Sequence, residues 1–282
     1  MTTGALIFAQ NNGLVDYVKL AVFAASRIKK YLNIPVTLAT DSPGWLDSAY
    51  SDHCFDTIIE ISAKSGGRKT FHDGTLSSKI FEWKNTSRSQ IYDLTPYDRT
   101  LVIDSDYIIN SSVLAPALER DIDLQIYKKS FDLSDWRPNS EFQRVNEQSI
   151  PFYWATTFIF NKNQVTEEFF NLVSFIQSNW IYFRTLYNIE SSAFRNDYAF
   201  SIAIHLMNNK ADGNFAMELP GTMTYAIDKD ILLKIEDNKL QFLVEKKDYL
   251  GEYTAAKTEG LDVHVMNKIS LSRCIDEVLN VK

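Results

Sequence analysis

Residues Gly4 to Gln10 are almost wholly apolar, the signature of a short buried strand. From Asp16 to Leu32 the apolar residues Val18, Val22, Ala25, Ile28 and Leu32 recur at helical spacing, and Asp16 stands where an N-cap belongs. Pro35 breaks that helix, Val36–Thr40 reads as a second strand, and residues 56–61 read as a third. This alternation predicts βαβ units and an α/β fold with a mostly parallel central sheet flanked by helices. A polar, glycine-containing loop is expected over residues 62–75, a helix over about 76–94, and then a strand ending at Asp104. Further strands are expected at 123–129 and 152–161, and amphipathic helices at 167–180 and 196–207. Residues 231–246 read as a hairpin turning at Asp237-Asn238, and a short strand within 261–268 precedes a final helix. The most loop-like stretch is about 129–150, and no internal repeat is visible.

Composition narrows the function classes. The chain has 282 residues, 45% hydrophobic and 13% aromatic, enough to bury a sizeable core. With 36 acidic against 29 basic residues the net charge is −7, which excludes a whole-surface nucleic-acid footprint and leaves only a local basic groove. Cys54 and Cys274 match no metal or redox spacing and read as free thiols. No apolar run approaches the 18 residues of a bilayer span, and the first residues lack a charged leader pattern. The expectation is a soluble, cytoplasmic protein without membrane insertion.

The chemistry concentrates in "YDRTLVIDSDYIINSSVL", residues 97–114. An apolar strand runs into Asp104-Ser105-Asp106 and the chain then turns apolar again. Ligands of parallel α/β sheets bind beyond the carboxyl ends of the strands. Side chains two apart on an extended backbone share a face, so both carboxylates can converge on one ligand. Two hard oxygen donors suit Mg²⁺ or Mn²⁺, which in turn suits a diphosphate. An Asp after a strand is equally an ordinary turn residue.

The segment "LTPYDRTLVIDSDYIINSSVL" resembles the D-x-D region of the GT-A glycosyltransferases, especially the family 8 type that includes glycogenin and lipopolysaccharide galactosyltransferases. The resemblance implies a single GT-A-like, Rossmann-like domain over residues 1–282, with a nucleotide-sugar half (about 1–110) and an acceptor half (about 111–282). It implies a retaining transfer from a nucleotide-sugar donor, a divalent metal held by Asp104 and Asp106, and a host cytoplasmic location if the gene is a phage's. "DVHVMNK" is similar to the segment carrying the family's third metal ligand and a phosphate-contacting lysine, which would be His264 and Lys268. Here the two are only four residues apart, closer than is usual in the family, and the customary Gly and Pro are missing. A satisfied core histidine is the alternative reading of His264. Arg88, sixteen residues before Asp104, matches a donor-contacting arginine, with Lys79 and Lys84 as alternatives.

By the same resemblance Ala9, Gln10 and Asn11 follow the first strand where the base and ribose are held, and Asp41 ends the second strand as a base contact or a turn residue. Asn196 and Asp197 match the helix-opening pair on the acceptor side, where an Asp also serves as an N-cap. "WATTFIFN" lacks the family's Asn-small-Gly turn and has Thr156 and Thr157 in its place.

The arrangement is also similar to glycosyltransferases of tailed phages, which would make the acceptor a hydroxylated cytosine in DNA. Arg68, Lys69, Lys79, Lys84, Arg88, Lys128, Lys129, Arg137 and Arg144 would then supply a basic strip, and Phe152, Tyr153 and Trp154 would stack on a flipped base. A saccharide, lipid-linked or protein acceptor is the alternative. A nucleotidyltransferase is the rival enzyme class, but "FAQNNG" has one Gly and no basic residue for a triphosphate loop. A sugar-nucleotide-binding protein without activity is the second rival.

Overall fold

The computed structural model describes residues 1–62, 67–84, 87–134, 142–146, 149–246 and 251–279. The first elements are β1 (Thr3–Ala9), α1 (Tyr17–Leu32), β2 (Val36–Thr40), α2 (Pro43–Ala49) and β3 (Thr57–Glu60); the three strands and α1 follow the predicted alternation, and α2 is a short helix the pattern did not predict. Next come β4 (Arg68–His72), β5 (Ser78–Glu82), a 3-10 turn (Ser87–Gln90) and α3 (Ile91–Leu94). Then follow β6 (Arg99–Asp104), β7 (Tyr107–Ile108), α4 (Ala115–Leu118), β8 (Leu124–Tyr127) and β9 (Ser130–Asp132). The chain continues with β10 (Trp154–Asn161), α5 (Gln164–Ser178), α6 (Trp180–Leu186), α7 (Asn196–Met207), β11 (Ala216–Glu218) and β12 (Met223–Ala226). It ends with β13 (Ile231–Glu236), β14 (Lys239–Glu245), β15 (Tyr253–Glu259), β16 (Val263–Val265) and α8 (Lys268–Leu279).

A seven-stranded sheet in the order β11-β8-β10-β6-β1-β2-β3 forms the centre. β1 lies parallel to β2 and β6, β2 to β3, and β8 to β11; only β10 runs antiparallel to its neighbours. The fold is therefore α/β with a mixed, mostly parallel central sheet flanked by helices, as the hydrophobic pattern predicts. Leu101, Val102 and Ile103 of β6 are fully buried, and each such side chain contributes roughly 1.5–3 kcal/mol through its burial. Gly4 has no room for a side chain, because a Cβ there would fall 2.3 Å from the ring of Tyr97. α1 begins as expected, with Asp16 accepting the Lys19 amide at 3.0 Å. The same carboxylate also accepts from Trp45 Nε1 and Tyr50 Oη, each at 2.8 Å, which ties α2 to the helix start. Among the described residues no helix is long and apolar enough to cross a membrane.

A second core packs against α1. The small sheet β7-β16-β12-β9 continues from β6, and the antiparallel sheet β13-β14-β15 packs with α8. This second core includes Phe71, Leu240, Phe242, Val263 and Ile275. The predicted hairpin at 231–246 is β13–β14, and its turn places Asp237 at φ +49°.

The helix expected over 76–94 is not formed. β4 and β5 pair as an antiparallel hairpin, and among the described residues of this segment helix is confined to Ser87–Leu94. Phe71 and Phe81 pack against the second core from the hairpin's two strands, which offsets the helical propensity of 76–84. The turn carries Asp73-Gly74, with Gly74 at φ +77° and Asp73 N donating to Ser77 O at 2.8 Å. An Asp-Gly pair between alternating residues is itself a hairpin signal. The short strands β9, β11 and β12 are too brief to leave a period in the sequence.

Candidate active site

β6 ends at Asp104, and Ser105-Asp106 form a turn into β7, which pairs with β16 in the second sheet. Asp106 O accepts the Val265 amide at 2.9 Å and so fixes this crossing. The two carboxylates therefore converge through a switch between sheets, and not through the pleat of one continuous strand. The apolar residues after the motif, Tyr107 to Ile109, are buried because they enter the second sheet. His264, at the centre of β16, is brought opposite Tyr107. Ligand atoms of Asp104, Asp106 and His264 lie within 4.8 Å of one another. Two carboxylates and an imidazole form a donor set chemically suited to Mn²⁺ or Mg²⁺.

These groups open into a cavity of about 410 Å³ beyond the carboxyl ends of β1 and β6. Lys268, the first residue of α8, puts its Nζ 2.5 Å from Asp106 Oδ2, and His264 Nε2 lies 3.3 Å from the same oxygen. Burial opposes ionisation of Asp106, but the charges of Lys268 and His264 outweigh it and hold the carboxyl well below the usual range. Burial likewise opposes the charge on Lys268, yet Asp106 raises its pKa overall. Arg88 sits on the 3-10 turn, not on a long helix, and its guanidinium pairs with Asp104 and donates to Ala155 O. Burial lowers the Arg88 pKa to about 10, with Asp197 and Asp106 opposing the fall. The Tyr17 hydroxyl is pushed up to about 12, chiefly by burial.

The helix-opening pair Asn196-Asp197 meets this cluster through the backbone of β10. β10 carries a register irregularity between Trp154 and Phe158 against β8. A bulge of this kind leaves strand groups unpaired by the ladder. Here the freed groups of Ala155 are taken by side chains: its N–H donates to Asp197 Oδ1 at 2.9 Å and its carbonyl accepts from Arg88. Arg195 holds the other oxygen of Asp197, with Nη2 at 2.6 Å and Nε at 3.1 Å. The N-cap of α7 is Arg195, so Asp197 is not the cap. Asn196 is buried at the helix start and lines the cavity, as does Thr156. Arg195 was not singled out in the sequence; its only signal is a cation directly before the Asn-Asp pair.

The other predicted donor contacts are placed differently. Gln10 lines the cavity, donating to Ser62 O at 3.5 Å. Ala9 is buried within β1. Asn11 Oδ1 accepts the Val18 amide at 3.1 Å, so this side chain braces α1. Asp41 pairs with Lys84 Nζ at 2.8 Å, and Lys84 also donates to Asn11 O at 2.7 Å. This links the ends of β1 and β2 to the hairpin strand. Lys79 is exposed on β5, away from the cavity wall.

The expected basic strip is broken up. Lys84 and Arg88 are consumed in internal pairs, and Lys129 pairs with Glu218 at 3.2 Å. Lys128 and Arg144 line a separate polar hollow with His205 and Lys210. Arg137 lies outside the described residues. Phe152 and Trp154 are buried in an aromatic cluster with Phe142, so neither presents a free face for a flipped base; Tyr153 is half-buried.

No family model matches the chain, and no curated protein matches it. Among solved structures, the glycosyltransferase GlyE of Streptococcus pneumoniae TIGR4 is similar at 14% identity and a TM-score of 0.40, covering 78% of this chain and 45% of its own. This chain thus spans less than half of GlyE. Galactosyltransferase LgtC, solved with donor and acceptor sugar analogues, is similar at 12% identity and a TM-score of 0.45, covering 76% and 72%. A putative glucose-1-phosphate thymidylyltransferase from Bacillus anthracis is similar at 10% identity and a TM-score of 0.43, covering 100% and 97%. Likeness at this level assigns no activity.

Proposed function

We propose that the chain is a metal-dependent glycosyltransferase, one GT-A-like unit that moves a sugar from a nucleotide-sugar donor to an acceptor hydroxyl. The reading is carried by one observation: Asp104, Asp106 and His264 converge at the carboxyl end of a mostly parallel sheet, on a cavity. These three residues would hold Mn²⁺ or Mg²⁺, which supplies Lewis-acid stabilisation of the departing diphosphate. Arg88 and Lys268 orient the two carboxylates through their ion pairs and bring positive charge beside the diphosphate. Gln10 reaches the donor's nucleoside from the end of β1. Asn196 and Asp197 face the donor sugar and acceptor, with Asp197 held by Arg195 and the Ala155 amide.

The test is a panel of nucleotide sugars with Mn²⁺, offered hydroxylated-cytosine DNA and a saccharide acceptor side by side. Release of nucleoside diphosphate with sugar transfer supports the reading, and the acceptor that is modified identifies the acceptor class. Release of pyrophosphate from a nucleoside triphosphate and sugar phosphate would assign a nucleotidyltransferase instead. Binding without turnover would assign a sugar-nucleotide-binding protein.

His264→Ala is expected to raise the Mn²⁺ concentration for half-maximal turnover by about 10-fold or more, since a donor atom is lost. A metal titration superimposable on wild type would make His264 a packing residue.

A further inference from the structure

We propose that Lys69, on the β4–β5 hairpin, is the cation that receives the diphosphate of the donor; the proposal rests on the donor reading above. Apart from Lys69 and the exposed Arg68, the cationic side chains lining the cavity are already matched in pairs among the described residues. Asp104 is held by Arg88, Asp106 by Lys268 and Asp197 by Arg195, while Lys84 is spent on Asp41. Lys69 lines the same cavity, and among the described residues its ammonium has no carboxylate partner. It lies over the ring of Phe71 at 5.0 Å and of Trp83 at 5.5 Å. These faces guide the ammonium without neutralising it.

Lys69 is half-buried, and a cation that has lost part of its hydration is stabilised by an anion that reaches it. Burial lowers the Lys69 pKa to about 7; among the facing charges Lys268 and Arg195 add to the fall, while Asp106 and Asp228 oppose it. Arg68 and His72 flank it on its own strand and also line the cavity. The hairpin is anchored, so Lys69 is presented in a fixed place. Arg273 grips Asp73 with two bonds of 2.6 and 2.8 Å, Tyr253 Oη accepts the Thr75 amide at 2.7 Å, and Asn12 Nδ2 donates to Glu82 O at 2.7 Å. A diphosphate is the anion that a nucleotide-sugar donor brings next to the Asp104–Asp106 pair.

Titration calorimetry with uridine, thymidine, guanosine and cytidine diphosphates, each with Mn²⁺, tests this on wild type, Lys69→Met and Lys69→Arg. For whichever nucleotide wild type binds, Lys69→Met should weaken affinity about 10-fold or more, the worth of a charge-assisted hydrogen bond. Lys69→Arg should stay within about 3-fold of wild type at pH 6, since it keeps the charge. Wild-type affinity should then fall between pH 6 and 8.5 more steeply than that of Lys69→Arg, whose cation does not titrate there. Equal affinity of Lys69→Met and wild type overturns the proposal. If Lys69→Met does not fold, identical pH slopes for wild type and Lys69→Arg overturn it instead. Failure of wild type to bind any of the four nucleotides overturns the donor reading and the proposal with it.

Discussion

Asp106→Asn is expected to lower donor turnover by roughly 1,000-fold with the fold retained, whereas Asp106→Ala is expected to lose turnover and stability together. Asp106 has a packing role beside its proposed metal role. It is 3% exposed, and its Oδ2 meets both Lys268 and His264. Removing one member of a buried pair strands the other, at a cost of about 3–5 kcal/mol. Asparagine keeps an acceptor for Lys268 and limits that cost.

The double variant Asp106→Ala/Lys268→Met removes both charges. It should recover most of the stability in urea unfolding and none of the turnover. Recovery of turnover would show that the carboxylate serves only to neutralise Lys268. The pH dependence has a definite sign. The Asp106 pKa is depressed in the folded state, so its contribution is present above the ordinary value of 3.8 and is lost as pH falls below it. The Lys268 pKa is raised, so its contribution is complete below the ordinary value of 10.5 and is lost as pH rises beyond it. Between these limits the pair's stabilisation should be flat, and urea midpoints at pH 5 and pH 9 should not differ on its account.

β1, α1 and β2 were legible because α1 is long, periodic and capped and the strands beside it are continuous apolar runs, whereas the short α2, without a side-chain cap, left no such signal. The α1 stripe, the Asp16 cap and Pro35 all point to the same alternation that the structure has. The D-x-D strand was legible from its context, a full apolar strand leading into two charges and a segment that resembles a known motif. Residues 68–82 carried one local hairpin signal, Asp73-Gly74, but the apolar surface that holds the hairpin is formed by α8 and the β13–β15 sheet, far along the chain. The same distance hid the pairing of Lys84 with Asp41 and of Lys268 with Asp106. The irregularity in β10 was hidden because Ala155 carries no chemical signal; its importance lies in a backbone N–H and C=O that Asp197 and Arg88 take up.

That backbone link sets the second large effect. Asp197→Asn is expected to lower kcat by about 100-fold while the KM for donor changes by less than about 3-fold. The amide can still accept the Ala155 N–H, so the strand and the start of α7 should keep their places. What it loses is the charge that holds Arg195, whose guanidinium otherwise rests among the rings of Phe142, Phe152 and Tyr198 at 5.4–5.8 Å. Arg195→Met should produce a loss of similar size by freeing Asp197. The double variant should be little worse than either single one, because residues that act as a unit are not additive. A purely structural role for Asp197 predicts a different result: a lower melting temperature for Asp197→Asn with kcat and KM both unchanged. In that case Asp197 would fasten α7 to β10, and the group facing the acceptor would have to be sought elsewhere on the cavity wall, with Asn196 the nearest candidate.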